Sequence, residues 1–278
     1  MLKIGQGMDS RWTGPPKMLV LDIDGTLVEP GRPVTDRVRR ALRRAVDSGC
    51  HLVLATGRAH FEVVDFFREI GLPDGLAVCS NGSVVVTMPQ GEVLATSTFD
   101  ARSVLATLLE YVPAARIAVE VVDVGYVVTH PFPEDEILGP QLISNLDKIL
   151  VDLSTVFADR VVRVVIRDPN LTREDFHGLT EHLSVRDVSY AVGFDAWLDL
   201  GPQGVSKASG LDKVAALLGV SPADALAIGD GYNDKEMILW AGRGVVMGHA
   251  PVALKELADH TTLPVGKDGA AVEIEKWF

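Results

Sequence analysis

The residues best suited to chemistry in this chain stand just beyond short apolar runs. Asp22 and Asp24 follow Met18-Leu19-Val20-Leu21, inside the stretch Asp22-Ile23-Asp24-Gly25-Thr26. Two carboxylates two residues apart at the end of a buried strand are costly without a cation or a dense set of donors. Thr56-Gly57-Arg58 follows the run His51–Ala55, and Gly229-Asp230-Gly231-Tyr232-Asn233-Asp234 follows Ala225–Ile228. Lys207 precedes this last cluster, in Gly204-Val205-Ser206-Lys207. The set is rich in carboxylates and poor in histidine, and hard oxygen ligands favour magnesium. Magnesium, a lysine and glycine-rich turns with backbone N–H donors suit a phosphate dianion. A carboxylate can also attack phosphorus and form an aspartyl phosphate.

Spacing removes other readings of the same residues. A calcium loop starting at Asp22 needs glycine at position 27 and glutamate at 33, where the chain has Leu27 and Pro33. A phosphate-binding P-loop needs Gly-Lys-Ser/Thr, whereas Lys207 lies between Ser206 and Ala208. A dinucleotide fingerprint at Gly229-Asp230-Gly231 lacks its third glycine, with Asp234 in that place. No His-Glu-x-x-His motif and no Gly-x-Ser-x-Gly elbow occurs. Each residue also has a bland role: Asp22 and Asp24 as turn formers, Thr56 as a helix cap, Asp234 as a first-turn acid, Lys207 as a surface lysine.

In order and spacing, Asp22–Thr26, Thr56, Lys207 and Gly229–Asp234 resemble the four motifs of the haloacid dehalogenase superfamily of phosphohydrolases, and within it the Cof-type sugar-phosphate phosphatases. The resemblance implies that Asp22 is the nucleophile and Asp24 the general acid/base. It implies that Thr56, Gly57, Lys207 and Asn233 contact the phosphate. It further implies that Asp22, Asp24 (through its backbone carbonyl), Asp230 and Asp234 hold Mg2+, Asp234 supporting either the metal or Lys207. The implied activity is hydrolysis of small phosphorylated metabolites, sugar phosphates first. A phosphosugar mutase and a non-catalytic phosphometabolite sensor are the alternatives. Carbon–halogen cleavage needs neither Asp24 nor the metal carboxylates.

The elements that must position these residues follow from pattern. The runs at 18–21, 51–55 and 76–79 read as strands buried on both faces, with helices over Thr35–Ser48 and Ala59–Ile70 between them. Alternating strands and helices predict a parallel sheet. The tail returns to this style with a helix at Lys207–Leu218, strands at 225–228 and 244–247, and helices at 234–241 and 251–258. The middle differs: a hairpin around Pro89-Gln90-Gly91, a helix near 101–111, a strand pair at 117–121 and 126–130, helices near 135–146 and 172–183, and a strand near 188–192. In the run Val161–Arg167, Arg163, Val165 and Arg167 share one face, which reads as solvated or as turning an arginine to a substrate. His130, Trp197 and Tyr126 are similar substrate-contact candidates.

Thr56 stands 32 positions after Asp24, enough for one turn-and-helix unit and no inserted domain. The gap from Thr56 to Lys207 leaves about 110 residues beyond ordinary elements, a domain's worth. The expected fold is therefore α/β, a Rossmann-like parallel-sheet core (18–86 and 196–278) with an inserted α+β cap domain (87–195), after a flexible leader (1–17).

Composition fits a globular protein: 278 residues, 47% apolar and 23% charged. The net charge of −12 disfavours a phosphate backbone as partner, so no nucleic acid is expected. No apolar stretch is long enough to span a membrane. The two cysteines, Cys50 and Cys79, read as buried thiols. The start of the chain lacks a signal-peptide core, and a cytoplasmic protein is expected. Oligomeric state is not legible.

Overall fold

A computed structural model describes residues 14–29, 31–132, 141–168, 170–172, 174–176, 188–192 and 197–278. The chain begins with β1 (Met18–Leu21), α1 (Asp36–Asp47), β2 (His51–Ala55), α2 (His60–Ile70), β3 (Gly75–Cys79), β4 (Val84–Met88), β5 (Val93–Thr96) and α3 (Arg102–Tyr111). Then come β6 (Arg116–Val121), β7 (Gly125–Val128), β8 (Gln141–Ile143), α4 (Leu146–Thr155), β9 (Val161–Arg167), β10 (Val188–Val192) and β11 (Trp197–Pro202). The last part holds α5 (Lys207–Leu218), β12 (Ala225–Gly229), α6 (Lys235–Trp240), β13 (Arg243–Val246), α7 (Val252–Lys255), β14 (His260–Thr261) and α8 (Gly269–Ile274). Two compact units result: residues up to Val53 with Ala215–Phe278, and Leu54–Val214.

In the first unit the strands run in the order β14-β13-β12-β1-β2. The pairs β1–β12, β12–β13 and β13–β14 are parallel. Every residue of β1 and β12 is buried, which explains their uninterrupted apolar sequences. Helix α1 starts where Thr35 accepts a hydrogen bond from the Val38 amide, and it buries Val38, Ala41, Leu42 and Ala45. Arg37 and Arg44 on this helix pair with Glu275. That contact anchors the chain end beyond α8, a helix the sequence pattern did not announce.

In the second unit β3, β4 and β5 form an antiparallel run. A separate six-stranded sheet has the order β10-β11-β9-β6-β7-β8. Its pairings are antiparallel except β7–β8. One face, with Ile117, Val119, Val164, Ile166 and Leu198, packs under Leu105 and Leu108 of α3 and Ile149 and Leu153 of α4. The other face carries Ala118, Tyr126, Val128 and Val165, which pack on Ala59 and Phe61.

Several expectations change. The face of β9 read as solvated is covered: Val165 is fully buried, and the Arg163 side chain is only 13% exposed. The helix expected near 135–146 gives way at 141–143 to β8, and α4 starts only after Asn145, whose side chain accepts the Lys148 amide; residues 133–140 lie outside the described ones. Of the helix expected near 172–183, residues 174–176 are helical and 177–183 lie outside the described ones. Strand β11 was not foreseen; it pairs with β9 and β10, so residues 197–202 join the six-stranded sheet rather than the core segment to which the sequence assigned them. Likewise β4 pairs with β3 and runs on through Met88, across the boundary drawn at 86/87. Helix α7 is shorter than expected, Val252–Lys255. Of the leader, residues 1–13 lie outside the described ones, while Lys17 is tied down: its amide donates to the Asp224 carbonyl and its ammonium pairs with the Asp224 carboxylate.

Candidate active site

Two clusters of the expected residues assemble, one in each unit. In the first unit, β1 and β12 are parallel neighbours with Leu21 opposite Ile228, and the ladder continues as the Asp22 amide donates to the Ile228 carbonyl at 3.0 Å. The carboxyl ends of these strands thus bring Asp22 and Asp230 together although 207 positions of chain lie between them. Asp22, Asp230 and Asp234 each place a carboxylate oxygen within 4.8 Å of the others. Asp234 is fully buried, and its Oδ2 accepts the amides of Asp230 (2.8 Å) and Gly231 (2.9 Å), which shapes the loop before α6. The Thr26 hydroxyl donates to Asp230 Oδ1 at 3.0 Å, and His249 Nε2 lies 3.3 Å from Oδ2. Gly25 is required here: its φ is +82°, and a Cβ would stand 2.4 Å from the Asp230 carboxylate.

Asp24 is exposed and lies in the tight turn that follows β1, bridged to Val28. Its side chain does not belong to the three-carboxylate group. Asn233 is exposed, in the short 3-10 turn Tyr232–Asp234. Three carboxylates this close repel one another, and a divalent cation with a preference for hard oxygen ligands relieves that repulsion. The donor set fits such an ion.

In the second unit, Thr56, Gly57 and Lys207 gather around the turn Ser80–Gly82. The Thr56 carbonyl accepts from the Asn81 amide (3.0 Å), and the Arg58 carbonyl from the Ser80 amide (2.9 Å). Thr56 Oγ1 accepts the Arg58 amide at 3.1 Å, so it shapes its own turn rather than capping α2. The first free amide of that helix, Ala59, donates instead to Glu62 at 2.8 Å. Arg58 stacks over Phe66, 5.5 Å from the ring centroid. Lys207 is fully buried at the start of α5, where Ser206 and Ser209 exchange hydrogen bonds. Gly82 has φ +111°, and a Cβ there would lie 2.0 Å from the Ser206 carbonyl oxygen. Only glycine lets the turn approach the helix start this closely.

Ser80 and Asn81 escaped the sequence reading. Both have left-handed backbones, φ +51° and +53°, a conformation that non-glycine residues keep only where the surroundings hold it. The Asn81-Gly82 pair, a turn signal, was the one available in the sequence.

The inner face of the six-stranded sheet adds polar groups. Arg163 pairs with Asp199 through Nε and Nη2 (2.8–3.1 Å) and donates from Nη1 to the Gly57 carbonyl (2.8 Å) and to Tyr126 Oη (3.3 Å). Burial works against its charge, but Asp199, Tyr126 and Glu120 together more than offset this and keep the guanidinium protonated. Glu120, 1% exposed, accepts from the Ser80 hydroxyl at 2.5 Å. Burial pushes its carboxyl up to about 7, against the pull of Arg163 and the Ser80 bond. Burial likewise pushes the Tyr126 phenol up. His130 is exposed, and the Trp197 side chain lies outside the described residues.

Among the described residues no helix is long and apolar enough to cross a membrane. The haloacid dehalogenase-like hydrolase family matches residues 19–274. The 5-amino-6-(5-phospho-D-ribitylamino)uracil phosphatase of Bacillus subtilis (strain 168) is 28% identical over 275 residues, covering 95% of this chain and 98% of the relative. A phosphoglycolate phosphatase of Natronomonas pharaonis is 30% identical over 251 residues, covering 90% and 93%. The crystal structure of a haloacid dehalogenase-like hydrolase from Bacteroides thetaiotaomicron superposes with a TM-score of 0.78 at 28% identity, covering 95% of this chain and 100% of that one. These matches span the α/β core and the inserted cap alike, and the resemblance carried by the four motifs holds over nearly the whole length. The chain belongs to the haloacid dehalogenase-like hydrolases.

Proposed function

We propose that this hydrolase is a magnesium-dependent phosphomonoesterase acting on small phosphorylated metabolites, with sugar phosphates as the first choice. The observation that carries the reading is the gathering of Asp22, Asp230 and Asp234 at the ends of neighbouring parallel strands. Curated relatives named as phosphatases of phosphorylated small molecules support it. Asp22 attacks phosphorus in line and carries the phosphoryl group as an aspartyl phosphate. Asp24 protonates the leaving oxygen and then takes a proton from the attacking water; its exposure suits a group that must meet both. Thr56, Gly57, Lys207 and Asn233 hold the phosphoryl oxygens, Lys207 with a positive charge that neutralises the transferring group. Asp22, the Asp24 carbonyl, Asp230 and Asp234 would hold Mg2+. When bound, the ion supplies electrostatic stabilisation of the phosphoryl oxygens.

The cap, with β11 included in its sheet, closes over the substrate and excludes water. The setting is cytoplasmic, and the partner is a small metabolite rather than a nucleic acid or a membrane. The test is a phosphate-release screen over sugar phosphates, nucleotides and cofactor phosphates, with and without magnesium. Release that needs magnesium and no bisphosphate activator supports a phosphatase over a mutase. Absence of release from every compound, or undiminished release in chelator, overturns the reading.

A further inference from the structure

The six-stranded sheet buries two ionisable side chains, Glu120 and Arg163, that the proposed chemistry does not use. Glu120 on β6 lies directly across from Tyr126 on β7 and from Arg163 on β9. Its Oε1 takes the Ser80 hydroxyl, while Oε2 is buried with no hydrogen-bond partner among the described residues. Arg163 cannot serve that oxygen. Its donors go to Asp199, to the Gly57 carbonyl and to Tyr126. A half-satisfied buried carboxyl is a poor way to stabilise a sheet, since a well-packed apolar residue would serve as well or better.

What the pair does accomplish is local. Arg163 grips Gly57 in the turn Thr56–Arg58, and Glu120 grips Ser80 in the turn Ser80–Gly82. These two turns bond to each other through the Asn81 and Ser80 amides, and the second abuts Ser206 just before Lys207. The left-handed backbones of Ser80 and Asn81 need such an outside hold.

We propose that Arg163 and Glu120 are positioning residues for phosphate binding: from adjacent strands of one sheet they clamp the Gly57 and Ser80 turns and so fix the placement of Thr56 and Lys207. The clamp stands on geometry alone; its meaning for phosphate rests on the proposed phosphatase reading. Neither residue touches the reacting atoms in this scheme. Arg163→Lys keeps a charge beside Asp199 but loses the planar fork that reaches Asp199 and Gly57 together. Ser80→Ala removes the other grip with one atom.

The experiment uses the full chain, magnesium, p-nitrophenyl phosphate as substrate and inorganic phosphate as competing product. In both variants KM for the aryl phosphate and Ki for phosphate are expected to rise together, about tenfold, with a smaller fall in kcat. Amide exchange in peptides covering 54–60 and 78–84 is expected to quicken about tenfold, while that of 146–155 stays within twofold. A purely structural role lowers the active fraction and quickens exchange across the whole sheet but leaves KM and Ki alone; that pattern, or no change in either variant, overturns the proposal. If wild type releases no phosphate, the phosphatase reading falls, and the exchange measurement still decides the clamp. If Arg163→Lys does not fold, Ser80→Ala decides by the same criteria.

Discussion

Glutamine in place of Glu120 should make the protein more stable relative to wild type as pH rises. An ordinary glutamate titrates near 4.5, whereas burial pushes Glu120 up to about 7. The groups around it are the Arg163 guanidinium and the Ser80 hydroxyl, which favour the charged form, and Glu62 and Asp199, which oppose it. Between these two values the folded protein binds more protons at this site than the unfolded chain does. Stability contributed by this carboxyl is therefore fully present below about 4.5 and is lost as pH climbs through 7. A tenfold change in proton affinity is worth ~1.4 kcal/mol, so the whole displacement corresponds to about 3 kcal/mol. Most of it, about 2–3 kcal/mol, falls between pH 5 and 8. Glutamine has the same shape, keeps an oxygen for Ser80 and does not titrate. Urea unfolding of both proteins across that range isolates the term, because other titrating groups cancel in the difference. A wild-type-minus-variant difference that stays flat from pH 5 to 8 would show that Glu120 is not buried as described and refute the reasoning.

Three further outcomes follow from the proposed chemistry. Asp22→Asn should fold normally, by circular dichroism and melting, yet lose several decades of kcat because an amide does not attack phosphorus; near-normal turnover would remove Asp22 as nucleophile. Asp24→Asn should damage sugar-phosphate hydrolysis more than the nitrophenolate burst, by up to about 10²–10⁴-fold, since a nitrophenolate leaves without a proton; equal losses in pre-steady-state measurements would take Asp24 out of the acid role. Chelation by EDTA should stop phosphate release and added magnesium restore it, with calcium a poor substitute because of its looser coordination; full activity in chelator would argue against a metal at Asp22, Asp230 and Asp234.

Much of the frame is written in local sequence. The runs 18–21, 51–55 and 225–228 are strands because both faces must be apolar, and this needs no knowledge of their neighbours. Thr35 and Gly49 mark the ends of α1 through capping and a left-handed backbone, both short-range effects. The polar clusters at Asp22, Thr56, Lys207 and Asp230 stand out by type and spacing, which is enough to identify the family. Packing decided the rest. That Asp22 and Asp230 meet depends on β1 lying parallel beside β12 in one register, a pairing across most of the chain. Nothing in its local sequence marks Glu120; it is a buried carboxyl on the face of the sheet that packs on Ala59 and Phe61. The left-handed backbones of Ser80 and Asn81, and the joining of β11 to β9, likewise follow from partners distant in sequence. Periodicity reports which residues prefer water and which do not, whereas burial, strain and proton affinity are set by the surface that folds down on each residue.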